Sequence, residues 1–375
     1  MFIDWLSIHQ EYDFNLPFMG ERASIVIDTE TGQQLTTTQP VLKYEGSHST
    51  SINIRVSGNR VSITGNPSRI NRQDNLYGFT TIDSCVAVYN NILLKLGLPV
   101  LTKCTKIIHL SQDSDKVTKS SDGACITELH ITSNKSVGQG NELSYIKGVA
   151  SLRYRHMIPR LHTNGQTADW LTKTGKGSSQ IYPSVYNKAF EMRLHALPKI
   201  IRKYGINSDQ HAYLLKVIEY CESHGVVRFE QKLKNNFLTR NNYRYFGLTS
   251  HLSELHTLHN EFLNIDDKLQ VTSMDMENIA ERLLRLDIVS STRAANTSAL
   301  YAIQWMHGAS FDTEKSQVKT HRARLRKIGI DIFDTYDQSK HSPIYIKKAT
   351  QVTVSHLVVP SWYEKPATTK LSLVA

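Results

Sequence analysis

Cysteine, proline and long apolar runs are all scarce in this chain of 375 residues. Its four cysteines, Cys85, Cys104, Cys125 and Cys221, form no C-x-x-C pair, which excludes the common zinc-ribbon spacing and a disulfide-dense secreted miniprotein. A reducing compartment follows as the simplest expectation. The longest apolar stretch, Val86 to Val100, is interrupted by Asn90, Asn91 and Lys95 and is too short to cross a bilayer. The opening residues carry Asp4, Glu11 and Asp13 where a secretory signal would have a basic start and an apolar run, so no signal and no membrane association are expected. Acid is also in short supply. Lys and Arg number 44 against 34 Asp and Glu, a net charge of +10, and that surplus favours an anionic partner such as nucleic acid. With 40% hydrophobic and 21% charged residues the chain can bury true cores, and its length suits two or three packed units.

Turn signals divide residues 1–75 into short strands: Ala23–Ile27, a run from Thr36 to Tyr44, then Ser51–Val56 and Arg60–Thr64 around Ser57-Gly58-Asn59. Asp83 is placed to cap a helix through Val86, Val88, Ile92, Leu93 and Leu96, stopped by Gly97 and Pro99. Asp113–Gly123 reads as an exposed loop before a strand at Cys125–Thr132, and Ile181–Ala189 as a further strand. Asn207 or Ser208 starts a helix that Gly225 ends, and Val226–Lys234 alternates like a strand. Beyond Ser250 the period is helical up to a last strand at Gln351–Val359. The fold class expected is α+β, an antiparallel-sheet unit over residues 1–250 followed by a mostly helical region over 251–375.

Three strand segments place ionisable side chains at i, i+2 and so on one face of a sheet: Glu128 with His130, Arg228 with Glu230 and Lys232, and Tyr186 with Lys188. Taken singly, each also fits the wet side of a half-exposed strand. Together they supply carboxylates and an imidazole suited to a divalent ion that stays partly open to phosphate. They also supply a tyrosine nucleophile beside a lysine.

Residues 143–168 contain Lys147, Arg153, Arg155, Arg160, His156 and His162 and no acid, with Tyr145, Tyr154 and Trp170 interleaved or adjoining. That composition suits a groove for single-stranded nucleic acid, and a solvated basic loop is the plainer reading. Ala299–Ile330 has helix-turn-helix spacing. Leu300, Ile303 and Met306 lie on a helix ending at Gly308, Ala309–Asp312 turns, and Thr313–Ile328 forms a second helix. On it Val318, Leu325 and Ile328 face inward and Lys315, Lys319, Arg322 and Arg326 form a basic face. Ser316, Gln317 and Thr320, early in that helix, are placed to read bases, and the arginines to clamp phosphates.

Taken in order, MFIDWLSI, Leu76-Tyr77-Gly78-Phe79-Thr80-Thr81, Val185-Tyr186-Asn187-Lys188, the run Gly225–Lys234 and Pro360–Pro366 resemble the replication initiators of filamentous phages, the gene II protein family, and most closely those of Vibrio phages. The resemblance spans nearly the whole chain. It implies a nicking domain ahead of the helix-turn-helix region and rolling-circle initiation: a site-specific nick in the plus strand, a 5′-phosphotyrosine intermediate, a 3′-OH that primes synthesis, and later rejoining. The family tyrosine, followed two residues on by lysine, falls on Tyr186 with Lys188. The family often has Arg-x-Asp where this chain has Glu128-Leu129-His130, which moves the carboxylate by two positions on one face. Also implied are Mg²⁺ or Mn²⁺, held here by Glu128, His130 and Glu230, and double- and single-stranded origin DNA as partner. A host replicative helicase and polymerase, assembly as an oligomer on DNA, and the cytoplasm of a bacterial host complete the expectation. Tyr182 reads as structural or substrate-contacting. The rival from another class is a non-catalytic helix-turn-helix regulator of phage or plasmid replication. A tyrosine recombinase is disfavoured because no His-x-x-Arg precedes a C-terminal tyrosine.

Overall fold

The computed structural model describes residues 1–19, 23–38, 40–46, 51–112, 116–248, 251–267, 279–306, 308–336 and 355–367. In chain order the strands are β1 (Phe2–Glu11), β2 (Ser24–Ile27), β3 (Gln34–Thr38), β4 (Leu42–Glu45), β5 (Ser51–Ser57), β6 (Arg60–Gly65), β7 (Ile107–Gln112), β8 (Lys116–Ser121), β9 (Cys125–Ser136), β10 (Ile158–Leu161), β11 (Thr167–Leu171), β12 (Ile181–Asn187), β13 (Val226–Lys234) and β14 (Ser355–His356). The helices are α1 (Ile82–Lys95), α2 (Glu142–Val149), α3 (Lys188–Glu191), α4 (Leu197–Tyr204), α5 (Asp209–His224), α6 (Asn235–Arg240), α7 (His251–Leu263), α8 (Ile279–Arg285), α9 (Thr292–Met306) and α10 (Ser316–Arg326).

An antiparallel sheet runs in the order β10-β11-β12-β13-β9-β1-β6-β5-β4, with β14 also paired to β9. Period-2 alternation gives it two different faces. Leu6 and Ile8, Ile52 and Ile54, Val61 and Ile63, Leu129 and Ile131, and Val227 and Phe229 point to one side. There they form cores with side chains of α1, α2 and α7. Losing a buried aromatic such as Phe229 from this layer costs about 3–5 kcal/mol. The opposite side carries the polar residues of the same strands. At one end α3, α4 and α5 cover it, burying Leu76, Met192, Leu214, Val217, Val226 and Tyr363 in a separate cluster. The remainder stays open as a cleft of about 590 Å³. Among the described residues no helix is long and apolar enough to cross a membrane.

Two of the closest backbone approaches near the sheet's polar face depend on glycine. Gly225 ends α5 in the left-handed region at φ 58°, and a Cβ there would lie 1.9 Å from the Gly138 carbonyl oxygen. Gly78 lets residues 76–79 lie against β1, where a Cβ would come within 2.8 Å of the Ile3 carbonyl oxygen.

Several expectations hold, among them the hairpin of β5 and β6 and the limits of α5 and β13. Others need correction. Thr81, not Asp83, caps α1, its side chain accepting from the Ser84 amide. The Thr36–Tyr44 run divides into β3 and β4, as Pro40, which cannot donate to a ladder, would require. Part of the expected 113–123 loop is β8, paired with β7, while residues 113–115 lie outside the described residues. Strand β12 stops at Asn187, whose side chain caps α3, so Lys188 opens a helix and does not share a strand face with Tyr186. Only Ser355–His356 of the last expected strand is described as strand, and 351–354 lie outside the description.

Tyr145, Tyr154 and Trp170 are core residues, exposed by 6%, 2% and 0%, and cannot serve as stacking platforms for bases. Arg155 pairs with Glu261 and Arg160 with Asp169. Helix α7, expected in the helical region, buries Leu255, Leu258 and Phe262 in the sheet's cores. Helices α8 to α10 have a core of their own, built on Leu283, Ala302, Trp305, Val318 and Leu325. There Leu300 and Ile303 are exposed, and Ala302 and Trp305 turn inward in their place.

Candidate active site

The cleft is lined from β1, β5, β6, β9 and β13, and the register of β12, β13, β9 and β1 puts their polar residues side by side. Tyr186 lies opposite Arg228, and Ser184 opposite Glu230. Lys232 lies opposite His130, Lys234 opposite Glu128, and His130 opposite Trp5. Strand β1 has an irregularity between Ile3 and Trp5, and bulges of this kind re-aim side chains beside functional sites. Asp4, in that irregularity, lines the cleft with Trp5, Ser7, Asn53, Asn66, Arg69 and Asn75.

The Tyr186 hydroxyl donates to Glu230 Oε2 at 3.1 Å. Burial and the Glu230 charge push its pKa well above that of an ordinary phenol, and Arg228 opposes them. His130 lies between two carboxylates, with Nε2 2.7 Å from Glu128 Oε1 and Nδ1 3.1 Å from Glu230 Oε1. Burial lowers the imidazole's pKa, but the two carboxylates outweigh it and the net shift is upward. Glu128, bonded to His130 and Lys234, is held down at about 2. For Glu230, burial acts upward but His130, Lys232 and Arg228 prevail, again giving about 2. The three expected metal ligands therefore meet, in a hydrogen-bonded row with the imidazole in the middle. Among the described residues no group of three or more His, Cys, Asp or Glu is placed to hold a metal ion.

Lys188 is 0% exposed, and its ammonium is committed to Asn75 Oδ1 at 2.7 Å and Glu191 Oε2 at 2.6 Å. Burial and Arg228 lower its pKa. Asn75 also donates to Asp4, so one amide ties α3 to β1. Tyr182, on the same face as Tyr186, donates to Asp169 Oδ2 at 2.5 Å, and Asp169 also receives Arg160 in two hydrogen bonds. Asp4, Asn75 and Glu191 belong to this site and strand periodicity marked none of them as functional, whereas Arg228 is the residue it placed on one face with Glu230 and Lys232. Asn75 sits in a loop and Asp4 in a bulge, where periodicity carries no information.

In the helical region Lys315, Ser316, Gln317, Lys319 and Thr320 are exposed at the start of α10. Helix α10 begins at Ser316, later than the expected Thr313, after a turn in which Asp312 accepts from the Glu314 amide. Asp331 receives Arg322 in two hydrogen bonds, at 2.6 and 2.8 Å, and lies 3.4 Å from Arg326. Lys319 lies 3.3 Å from Glu314. The basic face is thus partly neutralised, most of all at Arg322, whose guanidinium also lies 4.1 Å from the Phe333 ring centroid. Arg153 is exposed at the surface of the sheet unit.

An antiparallel sheet with a tyrosine, acids and basic groups on one polar face, followed by a helical unit with a basic face, is an arrangement suited to a DNA-processing protein. Family models identify which kind: residues 2–260 match the N-terminal model of the gene II replication-associated protein, and residues 283–369 match its C-terminal model. The replication-associated protein of the same kind from Escherichia phage If1 is 49% identical over 317 residues, covering 84% of this chain and 98% of that one. The chain belongs to the gene II replication-associated protein family of filamentous phages. No solved structure matches it.

Proposed function

We propose that this rolling-circle initiator, a DNA endonuclease and strand transferase by its family, nicks the plus-strand origin with Tyr186. The observation that carries the reading is the Tyr186 hydroxyl hydrogen-bonded to Glu230, which lines the cleft together with Glu128 and His130. In the nicking step Tyr186 Oη bonds to phosphorus while the P–O3′ bond breaks. The phenolic proton leaves along its hydrogen bond to Glu230 Oε2 and passes on to water, and the 3′ oxygen takes a proton from water. Rejoining reverses these changes. Lys188 supports the site from its buried position by holding Asn75 and Glu191.

Two carboxylates and an imidazole are hard and borderline donors suited to Mg²⁺ or Mn²⁺, and it is the chemistry of this donor set, on neighbouring strands β9 and β13, that supports the fit. Glu128, His130 and Glu230 would hold the ion, which supplies Lewis-acid polarisation of a phosphoryl oxygen. His130 must first give up its bond to one carboxylate.

Helices α9 and α10 are read as a helix-turn-helix. Ser316, Gln317 and Thr320 contact bases, while Lys315, Lys319 and Arg326 contact phosphates, with Arg153 and Arg155 as further phosphate contacts on the sheet unit. The nicking unit then comprises residues 1–267 together with 355–367. A host helicase and polymerase, assembly as an oligomer on DNA, and the bacterial cytoplasm complete the reading, and the order of motifs favours the Vibrio-phage subgroup. The test is the Tyr186→Phe variant on a supercoiled origin plasmid. Nicking is expected to fall by at least about 10³-fold with origin binding retained, and residual nicking within tenfold of wild type overturns the assignment.

A further inference from the structure

Arg228 is 0% exposed and lies directly across from Tyr186 on the neighbouring strand. Its guanidinium is pinned over the Phe2 ring, 5.3 Å from the centroid. Nε donates to Asn134 Oδ1 at 2.9 Å, and Nη2 donates to the carbonyls of Asn75 at 2.7 Å and Leu76 at 2.9 Å. All three acceptors are neutral. The acid within ion-pair reach, Asp4, has Oδ2 3.6 Å from Nη1, and Nη1 has no hydrogen-bond partner. A buried cation with an unspent donor is costly to fold around. The other buried cation here, Lys188, is already engaged by Glu191.

We propose that Arg228 stabilises the negative charge that Tyr186 Oη carries while its bond to phosphorus forms or breaks, with Nη1 as the waiting donor. Directly opposed residues of an antiparallel pair project from the same face of the sheet, so the Tyr186 and Arg228 side chains stand beside one another, and Nη1 is the donor with capacity to spare. The proposal rests on Tyr186 as nucleophile. In rejoining, the 3′ oxygen bonds to phosphorus and the P–Oη bond breaks, so Oη leaves with the bonding pair. The proton lost by the 3′-OH ends on Oη. Nicking and rejoining share one transition state, so a donor that stabilises charge on Oη there acts in both directions, in a site where fixed donors act strongly.

The experiment measures rejoining of the isolated covalent adduct in the full-length chain, comparing Arg228→Gln, Arg228→Lys and wild type. Each is made with tyrosine or with 3,5-difluorotyrosine at position 186. Arg228→Gln should slow rejoining by about 10²-fold or more, and Arg228→Lys by less. The fluorinated phenol, a better leaving group, should recover most of the Arg228→Gln loss. If Arg228→Gln does not fold, Asn134→Ala decides the matter. It removes the acceptor of Nε, leaves the Nη2 bonds and the Phe2 contact in place, and should slow rejoining several-fold, with the same fluorotyrosine recovery. Rates unchanged by these substitutions, or losses that fluorination does not reduce, overturn the proposal. An adduct that does not map to Tyr186 overturns the nucleophile assignment and is distinguishable from both.

Discussion

Tyr182 and Tyr186 lie on one face of β12, yet their hydroxyls are committed to different acids, Asp169 and Glu230. Only Tyr186 adjoins the Glu128–His130–Glu230 row, so Tyr182→Phe should nick origin plasmid at close to the wild-type rate. Loss comparable to that of Tyr186→Phe would make Tyr182 a second reacting group. Glu128→Ala and His130→Ala should each lower cleavage by about 10- to 100-fold and raise the Mg²⁺ or Mn²⁺ needed. Titration of nicking against metal checks this, and unchanged metal dependence in both would remove the row from the metal site. Asp169 offers a test by pH. Burial acts to raise its carboxyl pKa, but Arg160, Tyr182 and His162 outweigh that and hold it below the ordinary value. A lowered folded-state pKa means that the stabilisation is complete above the unfolded value of about 3.9 and is lost as pH falls toward the folded one. Urea unfolding across that acid range should show a steeper fall for wild type than for Asp169→Asn.

At the level of elements, β13 and α5 were legible because strict alternation and a Ser208 to Gly225 frame of caps leave little freedom. Strand β1 was not legible, although it lies near the middle of the sheet. Its bulge at Asp4 breaks the period, and Phe2 and Ile3 are both buried. Residues 143–168 and the adjoining Trp170 misled because their aromatics look like stacking groups beside arginines, while the acids that pair those arginines, Asp169 and Glu261, lie outside the acid-free stretch. The same effect operates in α10. Asp331 follows the basic run, so Arg322 reads as a free cation in sequence and is a structural clamp in space. Lys319→Ala with Arg326→Ala should weaken duplex-origin binding and reduce the slope of log K against log salt by about 0.9 for each phosphate no longer neutralised. Single-strand cleavage should persist. Unchanged affinity across a salt titration would make this helix face merely solvated.

Across the whole molecule, both chain segments flanking the helical unit are anchored on the sheet unit. Before it, α7 is buried in the cores, and Asp266 is held by Lys135 and Tyr145. After it, β14 pairs with β9, and Tyr363 donates to Asp74 Oδ1 at 2.6 Å while accepting from the Tyr77 amide and Arg72. That strap fastens the segment carrying Asn75, and with it the Lys188 and Arg228 contacts. Tyr363→Phe leaves Asp74 short of a donor in a buried setting and should cost about 1–3 kcal/mol in urea unfolding, and a loss below about 0.5 kcal/mol would mean that the strap is only loosely held.

The central claim is that one tyrosine, Tyr186 beside the sheet cleft, carries the strand. Incubation with supercoiled origin plasmid, nuclease digestion and mass spectrometry of the remaining nucleotide–peptide adduct tests it most directly. A 5′-phosphate joined to Tyr186, with a free 3′-OH on the other side of the nick, is the expected result. An adduct at another tyrosine, a 3′-phosphotyrosine link of the recombinase type, or no adduct from a chain that still binds the origin as a regulator would contradict it.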